Sequence, residues 1–433
     1  MKSVFSLLLA LLAAASWAAG PRIERVLSTG WKFIRQDVAG AQAPAFDDHG
    51  WKSVTVPHTW NVEDGADGGT YYRGPGWYRL HLRIGPELAG KQSFLRFAAA
   101  SLVADVYVNG KAAGHHEGGF GAFCFDVTKL LGPDDNVIAV RVDNARNVNL
   151  TPLSGDFTIY GGLYREVKLV ALDPVHISPL DDAGPGVYLT PKVTDNDASV
   201  AVKTKVWNSR HIPSTVEVRA RILDARGNQV GEDSKTLQIP PESGVDAAQT
   251  ILIPKPHLWN GTGDPFLYRS EVELVDSGRV TDEVDQPLGL RYFSVDPEKG
   301  LFLNGKPYDM HGVNLHQGRP SVGWAATRAM QDEDYAIVHE LGCTGVRMPH
   351  YQHADHEYEL CDRYGILVWA ELALVNQVTD SPEFYDNAKQ QLRELIKQNY
   401  NHPSVLFWSM YNEPNVNRQR GDNEWRLVKE LVA

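Results

Sequence analysis

Val405-Leu406-Phe407-Trp408-Ser409-Met410-Tyr411-Asn412-Glu413-Pro414-Asn415 is the stretch on which the fold of this chain turns. From Val405 to Met410 it is apolar apart from Ser409, rich in β-branched and aromatic residues, and preceded by His402-Pro403. A run that short reads as a strand buried on both faces rather than as a helix. Asn412-Glu413-Pro414 then sets an amide and a carboxyl beside a proline that stops the strand. Taken alone, this is a turn carboxylate. A carboxyl at the C-terminal end of a buried parallel strand is also where an α/β barrel keeps its chemistry. The surroundings decide between the two.

Those surroundings alternate strand and helix, the signature of parallel βα units. After the hairpin Leu301 to Lys306, a first strand is expected near Tyr308 to Val313. A helix follows from Thr327 to Leu341, with Met330, Ile337, Val338 and Leu341 on one face and Gly342 as its stop. Thr344 to Met348 is the second strand, followed by a helix from Ala354 to Tyr364 that ends at Gly365. Ile366 to Ala370 is the third strand. Ser381-Pro382 caps and opens a helix carrying Phe384, Ala388, Leu392, Leu395 and Ile396. Val405 to Tyr411 is the fourth strand, and Trp425 to Leu431 begins another helix. A whole eight-unit barrel takes about 250 residues. Residues 296–433 therefore predict the first half of a (β/α)8 TIM barrel, in a fragment or an interrupted gene product.

Upstream the pattern is all β. Over residues 20–173, runs such as Gly76 to Ile84, Ala104 to Val108 and Asn136 to Val142 alternate apolar and polar residues, as half-buried strands do. Asn109-Gly110 marks a hairpin. A jelly-roll sandwich fits. Its loops Pro57 to Asn61 and Tyr71 to Trp77 carry more aromatics than turns need, as surface platforms or as plugs at the sandwich ends. Gly118-Gly119-Phe120-Gly121 is glycine-rich but lies among strands, so it is not a phosphate cradle. Residues 174–295 carry strands at the spacing of an immunoglobulin-like sandwich, including Ser199 to Trp207, Thr215 to Leu223 and Tyr268 to Val275. That segment carries no evident chemistry and reads as a spacer and brace.

Composition narrows the function. At 433 residues and 43% hydrophobic content, with 11 Trp, the chain can bury several cores. A formal charge of −12 argues against nucleic acid or an anionic membrane as partner. Met1 to Ala19 has an early Lys2, an apolar core from Val4 to Ala15 and small residues at Ser16 and Ala18. It reads as a secretory signal peptide, which predicts a periplasmic or secreted protein. Cys124, Cys343 and Cys361 form neither a metal spacing nor a disulfide framework, and free thiols are expected.

Each barrel strand ends in polar residues: Asn314 and His316, Arg347 and His350, Glu371, and Asn412 with Glu413. Barrel active sites are assembled from several strand ends in this way. Carboxylates beside imidazole and guanidinium donors, without a thiolate cluster or a phosphate loop, suggest hydrolysis of a polyhydroxylated substrate.

Several blocks together resemble glycoside hydrolase family 2, which holds β-galactosidases, β-glucuronidases and β-mannosidases. They are Ser409 to Asn415, His311 to Gln317, Gly345 to Tyr351, Cys361 to Gly365 and Asn401 to Ser404. The resemblance covers nearly the whole chain after residue 19, and Val368 to Leu372 and His350 to His353 look most like the bacterial β-galactosidase branch. It implies that Glu413 is the general acid/base and that Asn412 bonds the sugar 2-hydroxyl. His316 and His350 would contact hydroxyls, Arg347 would orient the catalytic carboxylates, and Glu371 would line the substrate site. Asp156, shortly before the Gly162-Leu163-Tyr164-Arg165 block, would reach over from the jelly roll to the substrate. The best-known β-galactosidases hold a magnesium ion with a Glu and a His after the third strand. Those positions here are Leu374 and Asn376, so no metal or other cofactor is carried over.

The family's nucleophilic Glu lies on a seventh strand, which these residues do not include. A retaining glycosidase needs two carboxyls roughly 5–5.5 Å apart, one to protonate the leaving oxygen and one to attack the anomeric carbon. The expected activity is thus exo-hydrolysis of terminal β-galactosides, with β-glucuronidase as the alternative and a non-catalytic carbohydrate-binding remnant as a third reading. Residues 1–433 alone are expected to be inactive. An unclosed barrel edge would invite association into homo-oligomers.

Overall fold

The computed structural model describes residues 21–62, 64, 70–194, 196–413 and 422–433. The signal segment expected at residues 1–19, and Pro414 and Asn415 of the opening stretch, lie outside them.

Alternating apolar residues build the first sandwich. In the strand Val103–Val108, Ala104, Val106 and Val108 are buried and the residues between them are not. Asn109 and Gly110 both take positive φ, 52° and 78°, the geometry of a two-residue hairpin turn. The strand sits in a six-stranded antiparallel sheet ordered Lys52–Val54, Trp31–Ile34, Pro75–Arg83, Asp135–Asp143, Val103–Val108, Lys111–Glu117. A four-stranded sheet (Ile23–Val26, Val167–Leu172, Gln92–Phe97, Phe123–Asp126) packs on it, and one hydrophobic core fills the space between them. Of the two aromatic stretches, the first is a plug, with Trp60 buried in the core and stacked on Phe33 at 5.8 Å; the second runs into the strand Pro75–Arg83, where buried Trp77 stacks on Tyr107 at 6.0 Å.

The second sandwich pairs two four-stranded sheets. One centres on Asp197–Asn208 and the other on Ser214–Leu223 and Tyr268–Asp276. It braces the third region through Trp259, which is fully buried and donates Nε1 to the Asp362 carbonyl at 2.9 Å. Asn401 extends the contact. Its amide bonds both backbone groups along one sheet edge, Leu189 N and Val187 O, each at 2.8 Å.

The third region has β1 (Gly312–Asn314), α1 (Arg328–Glu340), β2 (Gly345–Met348), α2 (Asp355–Tyr364), β3 (Leu367–Glu371), α3 (Pro382–Gln398), β4 (Val405–Ser409) and α4 (Asp422–Val432). The four strands are parallel and adjacent in sequence order. Helix starts follow local chemistry: the hydroxyls of Thr327 and Ser381 accept from Met330 N and Phe384 N. Gly365, at φ 74°, ends α2 in the left-handed conformation. Among the described residues no helix is long and apolar enough to cross a membrane. All three cysteines are free; Cys343 and Cys361 are buried and Cys124 is half-buried.

Three expectations change. The inner face of α1 is Gln331, Tyr335 and Val338, whereas Ile337 and Leu341 are 56% and 65% exposed. The apolar period there also fitted a face one step round the helix, and the buried phenol of Tyr335 takes the inner position. β1 begins at Gly312 because Tyr308 instead packs by Trp259 and Leu303. β4 is not buried on both faces: Phe407 remains 38% exposed, beside Trp369 at 4.9 Å. These two rings share the inner row of the sheet with Arg347, and no described element covers that row.

Candidate active site

The C-terminal ends of β2, β3 and β4 converge on one guanidinium. Arg347 donates from Nε to Glu371 Oε1 (2.7 Å) and from Nη2 to Glu371 Oε2 (3.1 Å). Nη2 also reaches Asn412 Oδ1 at 2.6 Å. Because Arg347 can only donate, the Asn412 carbonyl oxygen must face it. The Nδ2 donor of that amide is thereby turned away from the guanidinium. The Asn412 backbone is fixed as well, since its N bonds Leu374 O at 2.9 Å and its O accepts from Asn376 N at 3.1 Å.

His350 Nδ1 lies 3.0 Å from Glu371 Oε2. Arg347 Nη2 lies 3.2 Å from the same nitrogen, so Nδ1 sits between the carboxylate and the guanidinium and Nε2 is the ring nitrogen left free of both. Glu371 is 2% exposed and held by both Arg347 and His350. Its two oxygens are thus engaged by donors of the rim itself. Glu413 follows Asn412 at φ 51°, exposed and without a hydrogen-bond partner among the described residues.

His316 stands across the rim, with Nδ1 3.0 Å from the Tyr351 hydroxyl. Burial holds its imidazole below the ordinary range; His353, His350 and Arg347 add to this, and Asp156 opposes it. That opposition puts the exposed Asp156, from the first sandwich, within electrostatic reach of His316. The loop bearing it is held firmly. Asn61 Oδ1 accepts from Gly161 N (2.8 Å) and Asn144 Nδ2 (3.2 Å), while Thr151 bonds Asn387 of α3 (3.2 Å) and the Ala373 carbonyl. Phe157 on the same loop lies 5.8 Å from His316 and 6.2 Å from His350, ring to ring. The structure thus brings His316, Arg347, His350, Glu371 and Asn412 together, sets Glu413 beside them and brings Asp156 over from the first domain.

Sequence reasoning missed the aromatic floor beneath the histidines. Phe120 stacks on Tyr351 at 4.5 Å and 4°, and Trp324 packs against Phe120, Phe157, Tyr160, Tyr164 and Tyr351. The glycine-rich stretch around Phe120 was the available signal. Its glycines allow close docking on α3: a Cβ at Gly118 would meet the Gln391 side chain, and one at Gly121 that of Glu394. After β3, Leu374 is fully buried, offers no side-chain ligand and bonds Asn412 through its carbonyl. The residues at 374 and 376 therefore do not fit the magnesium site of the best-known β-galactosidases.

Three domain models of one family match in order: the glycosyl hydrolases family 2 sugar binding domain over residues 38–173, the glycosyl hydrolases family 2 domain over 175–291, and the TIM barrel domain over 295–431. A β-glucuronidase of Bacteroides fragilis is 42% identical over 392 residues, covering 88% of this chain and 56% of the relative. A β-galactosidase of Bacteroides ovatus is 30% identical, covering 92% of this chain and 48% of the relative. The crystal structure of a Bacteroides uniformis β-glucuronidase superposes with a TM-score of 0.92 at 33% identity, covering 95% of this chain and 50% of that one. The chain spans about half the length of these relatives. With all three domains matched in order, the chain belongs to glycosyl hydrolase family 2.

Proposed function

We propose that this chain is the N-terminal part of an exported, retaining exo-β-glycosidase whose substrate is a terminal β-glucuronide. The observation that carries the reaction class is the Arg347–Glu371–Asn412 network, which aims an amide donor beside the strand-end carboxyl Glu413. In this reading Glu413 protonates the glycosidic oxygen as the bond breaks, and later takes a proton from the attacking water. Asn412 Nδ2 donates to the 2-hydroxyl, and His350 Nε2 bonds a neighbouring hydroxyl. A second carboxylate, from a strand outside these 433 residues, attacks the anomeric carbon.

The sugar is the finer question. The relative at 42% identity, named a β-glucuronidase, supports the glucuronide over the galactoside expected from Val368 to Leu372. The 30% identical β-galactosidase keeps the galactoside as the second reading. The complete protein, assayed on aryl β-glucuronide and aryl β-galactoside, should turn over the glucuronide faster and lose most activity on Glu413→Gln. Full activity in that variant would sink the assignment. A faster galactoside would select the second reading, and no turnover of either would leave a carbohydrate-binding role. Residues 1–433 alone are expected to show no turnover, because the second carboxylate is absent from them.

A further inference from the structure

Arg165 belongs to the first sandwich, and none of the roles above uses it. It is 7% exposed, and its guanidinium ends in three segments. Nη1 donates to the Phe120 carbonyl at 2.7 Å. Nη2 donates to Gln317 Oε1 and to the Gln352 carbonyl, both at 2.8 Å. Each acceptor is one step from the rim. Gln317 follows His316 in the chain. Gln352 follows Tyr351, whose hydroxyl bonds His316. Phe120 carries the ring stacked on Tyr351. The cation itself lies 5.2 Å over the Tyr164 ring, and the Tyr164 hydroxyl donates to Gly119 O at 2.5 Å, closing the loop from below.

We propose that Arg165 is a positioning residue of the active site: its planar fork, reaching across the domain boundary, sets the orientation of the His316 imidazole through Tyr351. The inference rests on the glycosidase reading for its consequence, but its geometry does not depend on which sugar is cleaved. Three hydrogen bonds in fixed directions suit a guanidinium and not an ammonium. Phe120 and Gln317 come from different domains, and the fork ties both to Gln352; Leu315 N to Arg347 O (3.0 Å) and Gln352 Nε2 to Gln398 Oε1 (2.8 Å) hold these segments at other points. Groups facing the His316 ring are Tyr351 and His350 from the β2 side, His353 beyond them, Arg347 on the strand, and Asp156 and Phe157 from the first domain.

The test has two readouts. Histidine ring nitrogens, 15N-labelled and assigned with His316→Gln, report the tautomer and titration of His316 without any turnover. Arg165→Met should loosen the Gln317 and Gln352 segments, shift the His316 ring signals and midpoint and broaden those signals, while cooperative unfolding persists. Should Arg165→Met not fold, Arg165→Lys, which keeps the buried charge but not the planar fork, carries the same expectation. Unchanged His316 signals and midpoint in a folded Arg165 variant would overturn the proposal. In the complete enzyme, kcat of Arg165→Lys on the better aryl glycoside should fall on the order of 100-fold, the scale of a slight misplacement at a reacting centre. Glu413→Gln tests the reaction class separately. A His316 response in the Arg165 variants with no turnover by the complete protein would keep the positioning role and discard the glycosidase.

Discussion

Arg347 and Glu371 meet fork to fork, at 2.7 and 3.1 Å, with the carboxylate almost wholly buried and the guanidinium about a quarter exposed. This bidentate pair bonds Asn412 from one end and His350 from the other. Glu371→Gln keeps the shape but leaves Arg347 without its counter-charge. Removing one partner of a buried pair costs several kcal/mol. With Arg347 partly in water, a loss of about 2–3 kcal/mol in urea denaturation is expected. An unchanged midpoint would remove Glu371 from this anchoring role.

The fixed face of Asn412 makes a second prediction. Asn412→Asp retains an acceptor for Arg347 and loses the outward Nδ2 donor. In the complete enzyme, kcat/KM should drop on the order of 100-fold, the scale seen when one transition-state donor is removed. A 2-deoxy glycoside should be nearly insensitive to the substitution. An equal loss on both substrates would separate Asn412 from the 2-hydroxyl.

His58 predicts acid sensitivity in the first domain. Burial, with help from Lys52, lowers its imidazole to about 4, and Nδ1 lies 2.7 Å from the buried Tyr78 hydroxyl. The unfolded ring takes its proton near pH 6.5, so between these values the unfolded state binds more protons. The contribution is intact above pH 6.5 and is lost as pH falls toward 4, by up to about 3 kcal/mol. His58→Gln keeps an acceptor for Tyr78 and does not titrate. Unfolding free energies at pH 7.5 and 4.5 should diverge less for that variant than for the parent. Parallel pH profiles would refute this origin.

Gly162 makes a fourth prediction. It sits at φ 130°, and a Cβ there would lie 2.5 Å from the His58 carbonyl oxygen and 2.7 Å from the Tyr78 hydroxyl. Neither is a flexible side-chain end. Gly162→Ala should cost about 2–4 kcal/mol through strain and overpacking combined. The Asp156 loop should also become more open to proteolysis. A stable, protease-resistant variant would contradict the contact.

Much of this was legible in order along the chain. Thr327, Ser381 and Gly365 announced helix ends because capping is local chemistry. The strand-end residues His316, Arg347, His350 and Asn412 could be placed on one rim because parallel βα units have one geometry. What stayed hidden depended on contacts between distant segments. Asn401 and His402 stood in a block of the family resemblance with no role assigned. Asn401 holds an edge of the second sandwich, and His402 bonds Asp362 at 2.6 Å. Phe120 had no role in the sequence beyond its glycine-rich setting, because its stacking on Tyr351 joins segments of different domains. On α1, periodicity offered two adjacent faces, and choosing between them required knowing where the sheet lay.

The bonds from Thr151 to Asn387 and from Ala122 to Gln398 join residues 236 and 276 positions apart. Domains generally fold N-terminal first as the chain leaves the ribosome. The first sandwich can therefore be complete, with Asn61 and Asn144 already holding the Asp156 loop, while α3 is still unsynthesised. The rim of the barrel is then moulded on a surface that precedes it in time.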